Sequence, residues 1–243
     1  MRRYMLVGVL AALSGTGVPA DVQLQPMLTA QTHESYSLAV EAADAKKHTM
    51  ALARLDGLLM PSTISVGIDP TTVPQEPNDF LSGVKGGIQL WTSALKDSPF
   101  QFSSFGESPM LVVKFVDHVK NSGDVQGMIQ ARREFSWNSR TYQSKVTGTI
   151  YVVQKTGGRL LTRDEVVEVV AHELGHLFGL DDVEGNEGLM GAFVGGEPRP
   201  YLDPAERDVV VAFRRMLRDK MSEVQQAAAT ARRIEQRSPG SGT

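Results

Sequence analysis

The chain has 243 residues, of which 41% are hydrophobic and 22% are charged, and its formal net charge is -3. This length predicts one domain with short extensions, and the slightly negative charge offers no attraction for nucleic acid or an anionic membrane surface. The sequence contains no cysteine. Any metal site must therefore use His, Asp or Glu as ligands.

The first twenty residues have the pattern of a secretory signal peptide. Arg2 and Arg3 precede the apolar run at residues 5–13, and small residues at 18–20 predict cleavage after Ala20. A buried or membrane-spanning helix is the alternative, but the apolar run is about half of the roughly 20 residues that a span needs. The pattern predicts a secreted or extracytoplasmic protein, the periplasm included, with no stable membrane insertion after cleavage.

Residues 21–60 predict a polar lead followed by a helix. Apolar side chains recur there at mostly three- or four-residue spacing, at Leu38, Ala42, Ala45, Leu52, Leu55 and Leu59. Pro61 then predicts the end of the helix. The sequence leaves open whether this segment is a removable propeptide or an extra helix packed on the main domain.

Alternating and β-branched runs predict five short strands after Pro61. They lie at residues 64–68, 100–105, 110–116, 128–137 and 147–154. Residues 78–95 predict a helix between the first two strands. The run at 110–116 is nearly continuous in apolar residues, which is typical of a strand buried on both faces.

Two further helices have explicit end signals. Thr162 and Glu165 form a capping box at the start of the first, and Gly179 supplies its stop after about 16 residues. Asp203 and Pro204 are the cap and first position of the second. This helix is expected to continue as an extension beyond residue 222, before a disordered tail at 238–243.

The first of these helices carries the sequence His-Glu-x-x-His. At about 100° per residue, His172 and His176 point within roughly 40° of one another, so both imidazoles can reach one ion. The helix has a separate apolar stripe for packing, formed by Val166, Val170, Leu174 and Leu177. A catalytic zinc site needs three protein ligands and a nearby carboxylate to take a proton from water, which is the role predicted for Glu173.

The same five-residue pattern also occurs by chance on exposed, salt-bridged helix faces. The continuation His-x-x-Gly-x-x-Asp favours a metal site, because Gly179 can turn the chain so that Asp182 folds back as a third ligand. Asp181, Glu184 and Glu197 are the alternatives for that ligand.

The segment from His172 to Asp182 resembles the signature of the metzincin metalloproteases, most closely that of the matrixins. Asp182 replaces the usual third histidine, as in snapalysin-like members, and Met190 follows at a spacing similar to that of the matrixin methionine turn. The resemblance, weaker outside this segment, covers residues 61–222. It implies an α+β domain with a twisted mixed sheet of four to five strands, an active-site helix, the methionine turn and a C-terminal helix.

The resemblance implies a secreted zinc-dependent endopeptidase. Zn²⁺ would be held by His172, His176 and Asp182, with Glu173 as the catalytic base and a polypeptide as substrate. The edge strand that pairs with substrate would be residues 149–153, and the loop at 191–201 would wall the pocket.

Two other functions remain open on the sequence. One is a non-catalytic secreted zinc-binding or adhesion module, against which the intact Glu173 argues, because a structural site needs no base. The other is a protease dedicated to a single protein partner.

Overall fold

A mixed β-sheet forms the centre of the structure. The computed structural model describes residues 2–6, 27–60, 62–74, 77–104, 107–119, 125–185 and 188–237. The sheet strands are β1 (Arg2–Leu6), β2 (Ile64–Ile68), β3 (Phe100–Phe102), β4 (Leu111–Val116), β5 (Gly127–Trp137) and β6 (Tyr142–Val153). A small separate hairpin pairs β7 (Lys155–Thr156) with β8 (Arg159–Leu160).

The strand order in the sheet is β1-β5-β6-β4-β2-β3. Strands β3, β2, β4 and β6 are parallel to one another, whereas β5 is antiparallel to β6. Strand β1 adds an antiparallel partner to one half of β5, at the edge of the sheet. The predicted α+β class and mixed sheet are confirmed.

The helices are α1 (Ala30–Asp44), α2 (His48–Leu59), α3 (Pro77–Ala94), α4 (Arg163–Leu177) and α5 (Pro204–Arg237). The prediction of a single helix before Pro61 is wrong, because α1 and α2 are separate. Lys46 has a φ of 57°, and its N–H donates to the carbonyl of Ala43. This left-handed residue ends α1, and the chain starts a new helix at His48.

Helices α2, α3 and α4 contact one face of the sheet. Phe115 and Gly127 both pair with Val152, so all three residues point to the same face of the sheet. Phe115 contacts Phe80 of α3, with ring centroids 4.8 Å apart, and Gly127 packs against α4. The other face has no such cover from these helices. Strand β4 is therefore buried at alternate positions only, and the expectation of burial on both faces is wrong.

Residues 27–60 share one hydrophobic core with the rest of the chain. Leu28 is 3% exposed, and Ala51 and Leu55 are fully buried. Helix α2 contacts β5, β6 and α5, and α1 packs on α2. The apolar face of this segment is thus buried against the main domain.

Helix α5 runs without a break past the expected boundary at residue 222. Val210, Leu217 and Val224 are buried at seven-residue spacing, so the extension continues the stripe that packs on the domain. The predicted tail at 238–243 lies outside the described residues.

Most of the segment predicted as a signal peptide also lies outside the described residues, apart from the backbone of β1. Cleavage after Ala20 stays a prediction. Within the part of the chain that the structure describes, no helix has the length and apolar character needed to cross a membrane.

Replacing Leu55 with alanine should destabilise the protein by about 2–5 kcal/mol, because it leaves a cavity at a fully buried position of α2. Urea unfolding measures the change. Val211→Ala is the matched control, since Val211 is 47% exposed on α5. Equal, small effects of the two substitutions would show that α2 is not part of the cooperative core.

Candidate metal centre

Helix α4 carries the histidine pair, and its start is fixed locally. The hydroxyl of Thr162 accepts from the Glu165 N–H at 3.3 Å, and the Glu165 carboxylate accepts from the Thr162 N–H at 2.8 Å. This confirms the predicted capping box. Further along α4, the Ala171 carbonyl accepts a hydrogen bond at 2.8 Å from the buried indole N–H of Trp91 in α3. This bond connects the two helices next to His172.

The two imidazoles are oriented by backbone carbonyls. Nδ1 of His172 lies 2.8 Å from the Leu189 oxygen, and Nδ1 of His176 lies 2.9 Å from the Leu180 oxygen. Because a carbonyl only accepts, each Nδ1 must carry its proton and donate it. Both Nε2 atoms are then left as the groups that can bind a metal ion.

The structure brings Asp182 to both histidines. Its Oδ1 lies 3.0 Å from Nε2 of His172 and 3.6 Å from Nε2 of His176. Metal bonds of about 2.0–2.1 Å at tetrahedral angles would place donor atoms about 3.3 Å apart, so these distances fit such a centre.

The other three candidates for the third ligand do not reach the histidines. The Asp181 carboxylate accepts from the Asp182 N–H, and Glu184 is exposed at the rim of the cavity. Glu197 lies in the loop after the methionine turn, and its N–H donates to Val194. Of the four acids, Asp182 is the one whose carboxylate contacts both imidazoles.

Protonation in the metal-free site reflects this geometry. Burial lowers the pKa of His172, but the hydrogen bond to Asp182 and the charge of Glu173 outweigh it, so the pKa is raised. The same hydrogen bond lowers the pKa of Asp182. Protonation of His172 thus favours the contact between Nε2 and Oδ1, and a metal ion bound there would have to displace that proton.

The Glu173 side chain lies beside the histidines and is buried. A carboxylate oxygen of Glu173 and one ring nitrogen of each imidazole all lie within 4.8 Å of one another, a grouping that could hold a metal ion. Its side chain packs so closely on Gly127 that a Cβ there would lie 2.7 Å from Oε1. Burial raises the pKa of Glu173 to about 7, against the charge of His172 and the N–H of Ile129. At neutral pH this group can both take and return a proton.

The predicted methionine turn lies beneath α4. Met190 is fully buried, and its sulfur would be 2.6 Å from a Cβ at Gly175, between the two histidines. The buried Glu206 carboxylate accepts from the N–H groups of Leu189 and Met190 at 3.1 and 2.7 Å. Because the Leu189 carbonyl accepts from His172, the segment at 189–190 links the Glu206 carboxylate to that imidazole.

Sequence reasoning missed this role of Glu206. The signal in the sequence was the position of Glu206, three residues after the helix cap Asp203. Its carboxylate accepts a hydrogen bond from the Asp203 N–H at 2.9 Å. That spacing predicts a capping box, but the two further bonds come from a turn sixteen or more residues away.

The prediction of an edge strand at residues 149–153 is wrong. That stretch belongs to β6, which lies between β4 and β5. Strand β5 is the outer strand beside the site, and β1 covers only its second half, from Arg133 to Trp137. Among the described residues, positions 127–132 have no strand on their outer side.

The free part of β5 borders a cavity of about 810 Å³ that contains the histidines. Of the loop predicted as a pocket wall, Gly191, Ala192 and Phe193 line the cavity. The rest of that loop is fixed to α4, because Glu165 accepts from the Gly196 N–H and Glu168 from the Arg199 N–H, at 2.7 and 2.8 Å.

Comparison with known proteins adds no relative. No protein-family model matches the sequence, and a search of curated proteins finds no significant match. The likeness to the metzincins therefore depends on the signature residues alone.

Replacing Glu206 with glutamine should destabilise the protein by about 1–3 kcal/mol, because the amide cannot accept from every buried N–H that the carboxylate now satisfies. Chemical denaturation of the metal-free protein measures the loss. Glu223→Gln, an exposed change on the same helix, should stay within about 0.5 kcal/mol. A Glu206→Gln protein as stable as this control would contradict the anchoring role.

The Glu165 carboxylate should make the free energy of unfolding depend on pH in the acidic range. Burial raises its pKa, but hydrogen bonds from Arg159, Thr162 and Gly196 outweigh this and lower the pKa from 4.5 to about 2. The ionised carboxylate therefore contributes its full stabilisation above about pH 4.5, and this stabilisation is lost as the pH falls towards 2.

The free energy of unfolding, measured by urea at several pH values, should show a gap between wild type and Glu165→Gln that shrinks over this range. Asp164→Asn, an exposed neighbour, serves as control. A gap that is constant with pH would refute the assignment.

Proposed function

We propose that this protein is a secreted zinc-dependent endopeptidase with a metzincin-like fold. The observation that carries the proposal is the convergence of His172 Nε2, His176 Nε2 and Asp182 Oδ1, with the buried Glu173 beside them. Two imidazoles and a carboxylate are a ligand set used by hydrolytic zinc enzymes, and they leave a coordination position open. The absence of cysteine agrees with such a set.

Zn²⁺ bound there would polarise a carbonyl oxygen and lower the pKa of a water molecule. Glu173, buried beside the two imidazoles, would take the proton of the attacking water and return it to the leaving amine. The carbonyl groups of Leu189 and Leu180 keep the imidazoles in the metal-binding tautomer throughout.

An extended polypeptide fits the cleft better than a compact small molecule. Within the described residues, positions 127–132 of β5 have no strand on their outer side, and of their backbone groups the Ile129 N–H is bonded to the Glu173 carboxylate. A substrate chain can add to such an edge through backbone hydrogen bonds. Backbone pairing tolerates many side chains, so specificity would come from the wall at residues 191–193.

The exported protein should cleave denatured casein and members of a peptide library, and a zinc chelator should stop it. Glu173→Ala should retain zinc but lose about 100-fold or more in kcat/KM, because the proton transfer loses its base. Asp164→Asn is the matched control, an exposed acid at the start of the same helix, and it should keep full activity.

The outcomes separate the candidate functions. Cleavage that resists the chelator, or a fully active Glu173→Ala protein, would remove the zinc peptidase proposal. Tight zinc binding without turnover of casein or the library peptides would instead support the non-catalytic binding module or the protease dedicated to one partner.

A further inference from the structure

We propose that residues 27–32, here called the strap, remain in the mature enzyme and position Asp182 for metal binding. This inference rests on the proposed function. It also bears on residues 21–60, for which the sequence allows either a removable propeptide or a packed segment.

The strap is hydrogen-bonded to the bend that carries Asp182. Leu28 forms an antiparallel bridge with Leu180. The Thr29 N–H donates to the Gly179 carbonyl at 2.8 Å, and the Asp181 N–H donates to the Met27 carbonyl at 2.8 Å. The residues that lead from α4 to Asp182 are thus paired with the strap as a short piece of sheet.

Side-chain packing tightens the same contact. Gly179 has a φ of 93°, and a Cβ at this position would lie 2.7 Å from the hydroxyl oxygen of Thr32. Thr32 is 5% exposed, and its hydroxyl also lies 2.8 Å from that of Thr29. The bend therefore fits against the strap with no space for a side chain between them.

Asp182 depends on this main-chain support. Its side chain is 72% exposed, and its carboxylate contacts the two imidazoles. The Val183 N–H donates to the Met190 carbonyl at 2.9 Å, which fixes the bend on the far side of Asp182. The strap fixes the near side, so the carboxylate is placed by two backbone attachments rather than by packing of its own.

The strap lines the cavity without occupying it. Thr29, Gln31 and Thr32 of the strap and the nearby Ser35 are among the lining residues. The side chains of His172 and His176 remain 20% and 24% exposed with the strap in place. The segment 27–60 leaves both imidazoles partly exposed, and its helices belong to the hydrophobic core, so it is not suited to act as an inhibitory propeptide.

Two substitutions at Thr29 isolate the strap bond in the full exported chain. Thr29 has φ -60° and ψ 149°, a conformation that proline adopts. Thr29→Ala removes the hydroxyl that caps α1 but keeps the N–H that donates to Gly179. Thr29→Pro removes both, so the difference between the variants reports the bond to the bend.

Zinc affinity, measured by competition with a chromophoric chelator, should fall about 10-fold further in Thr29→Pro than in Thr29→Ala. Loss of a group that orients a metal ligand typically has an effect of this size. The same pair is then compared in an Asp182→Ala background, where His172 and His176 still bind zinc. There the additional loss should be smaller, because only the support of His176 through the Leu180 carbonyl remains for the strap to affect.

Equal affinities of the proline and alanine variants, or the same loss in the Asp182→Ala background, would overturn the positioning role. N-terminal sequencing of the active secreted enzyme should find a start at or before Met27. An active form that begins after Met27 would overturn the inference while leaving the peptidase intact. A wild-type protein that binds no zinc would instead overturn the proposed function itself.

Discussion

The candidate site depends on a chain reversal within a few residues of the end of α4. Gly179 makes the reversal possible through its left-handed conformation, which a side chain would disfavour. The same bend supplies the Leu180 carbonyl that holds His176 and then the carboxylate of Asp182. One short segment therefore orients a histidine and delivers the acid that meets it, so any shift of the bend alters both together.

Buried carboxylates organise the loops around the cleft. Glu165, Glu168 and Glu206 lie outside the histidine cluster, yet each accepts at least one backbone N–H from the chain that follows the bend. Charge-assisted bonds of this kind fix irregular backbone more firmly than neutral ones do. The loops at 188–203 thus gain a defined path without belonging to a helix or strand.

The sheet provides the open edge that a polypeptide would need. The outer strand β5 is covered by β1 over residues 133–137 and left free beside Glu173. An exposed strand edge invites pairing with other chains, so proteins usually keep such edges short. With β1 in place, the stretch without a partner strand is residues 127–132, which border the histidines, and Gly127 packs closely on the Glu173 side chain. Cleavage after Ala20, as predicted from the sequence, would remove β1 and uncover residues 133–137 as well.

The sequence alone determined the features that depend on neighbours within about one helical turn. The capping box, the glycine stop and the position of the histidine pair on one helix face are all local, so their residue types and spacing suffice. The motif spacing favoured Asp182 among four acids, but its contact with both imidazoles, the identity of the edge strand, the second role of Glu206 and the strap could not be predicted. Each is decided by groups far apart in the chain, such as Leu28 with Leu180 or Met190 with Glu206, which only the tertiary structure brings into contact.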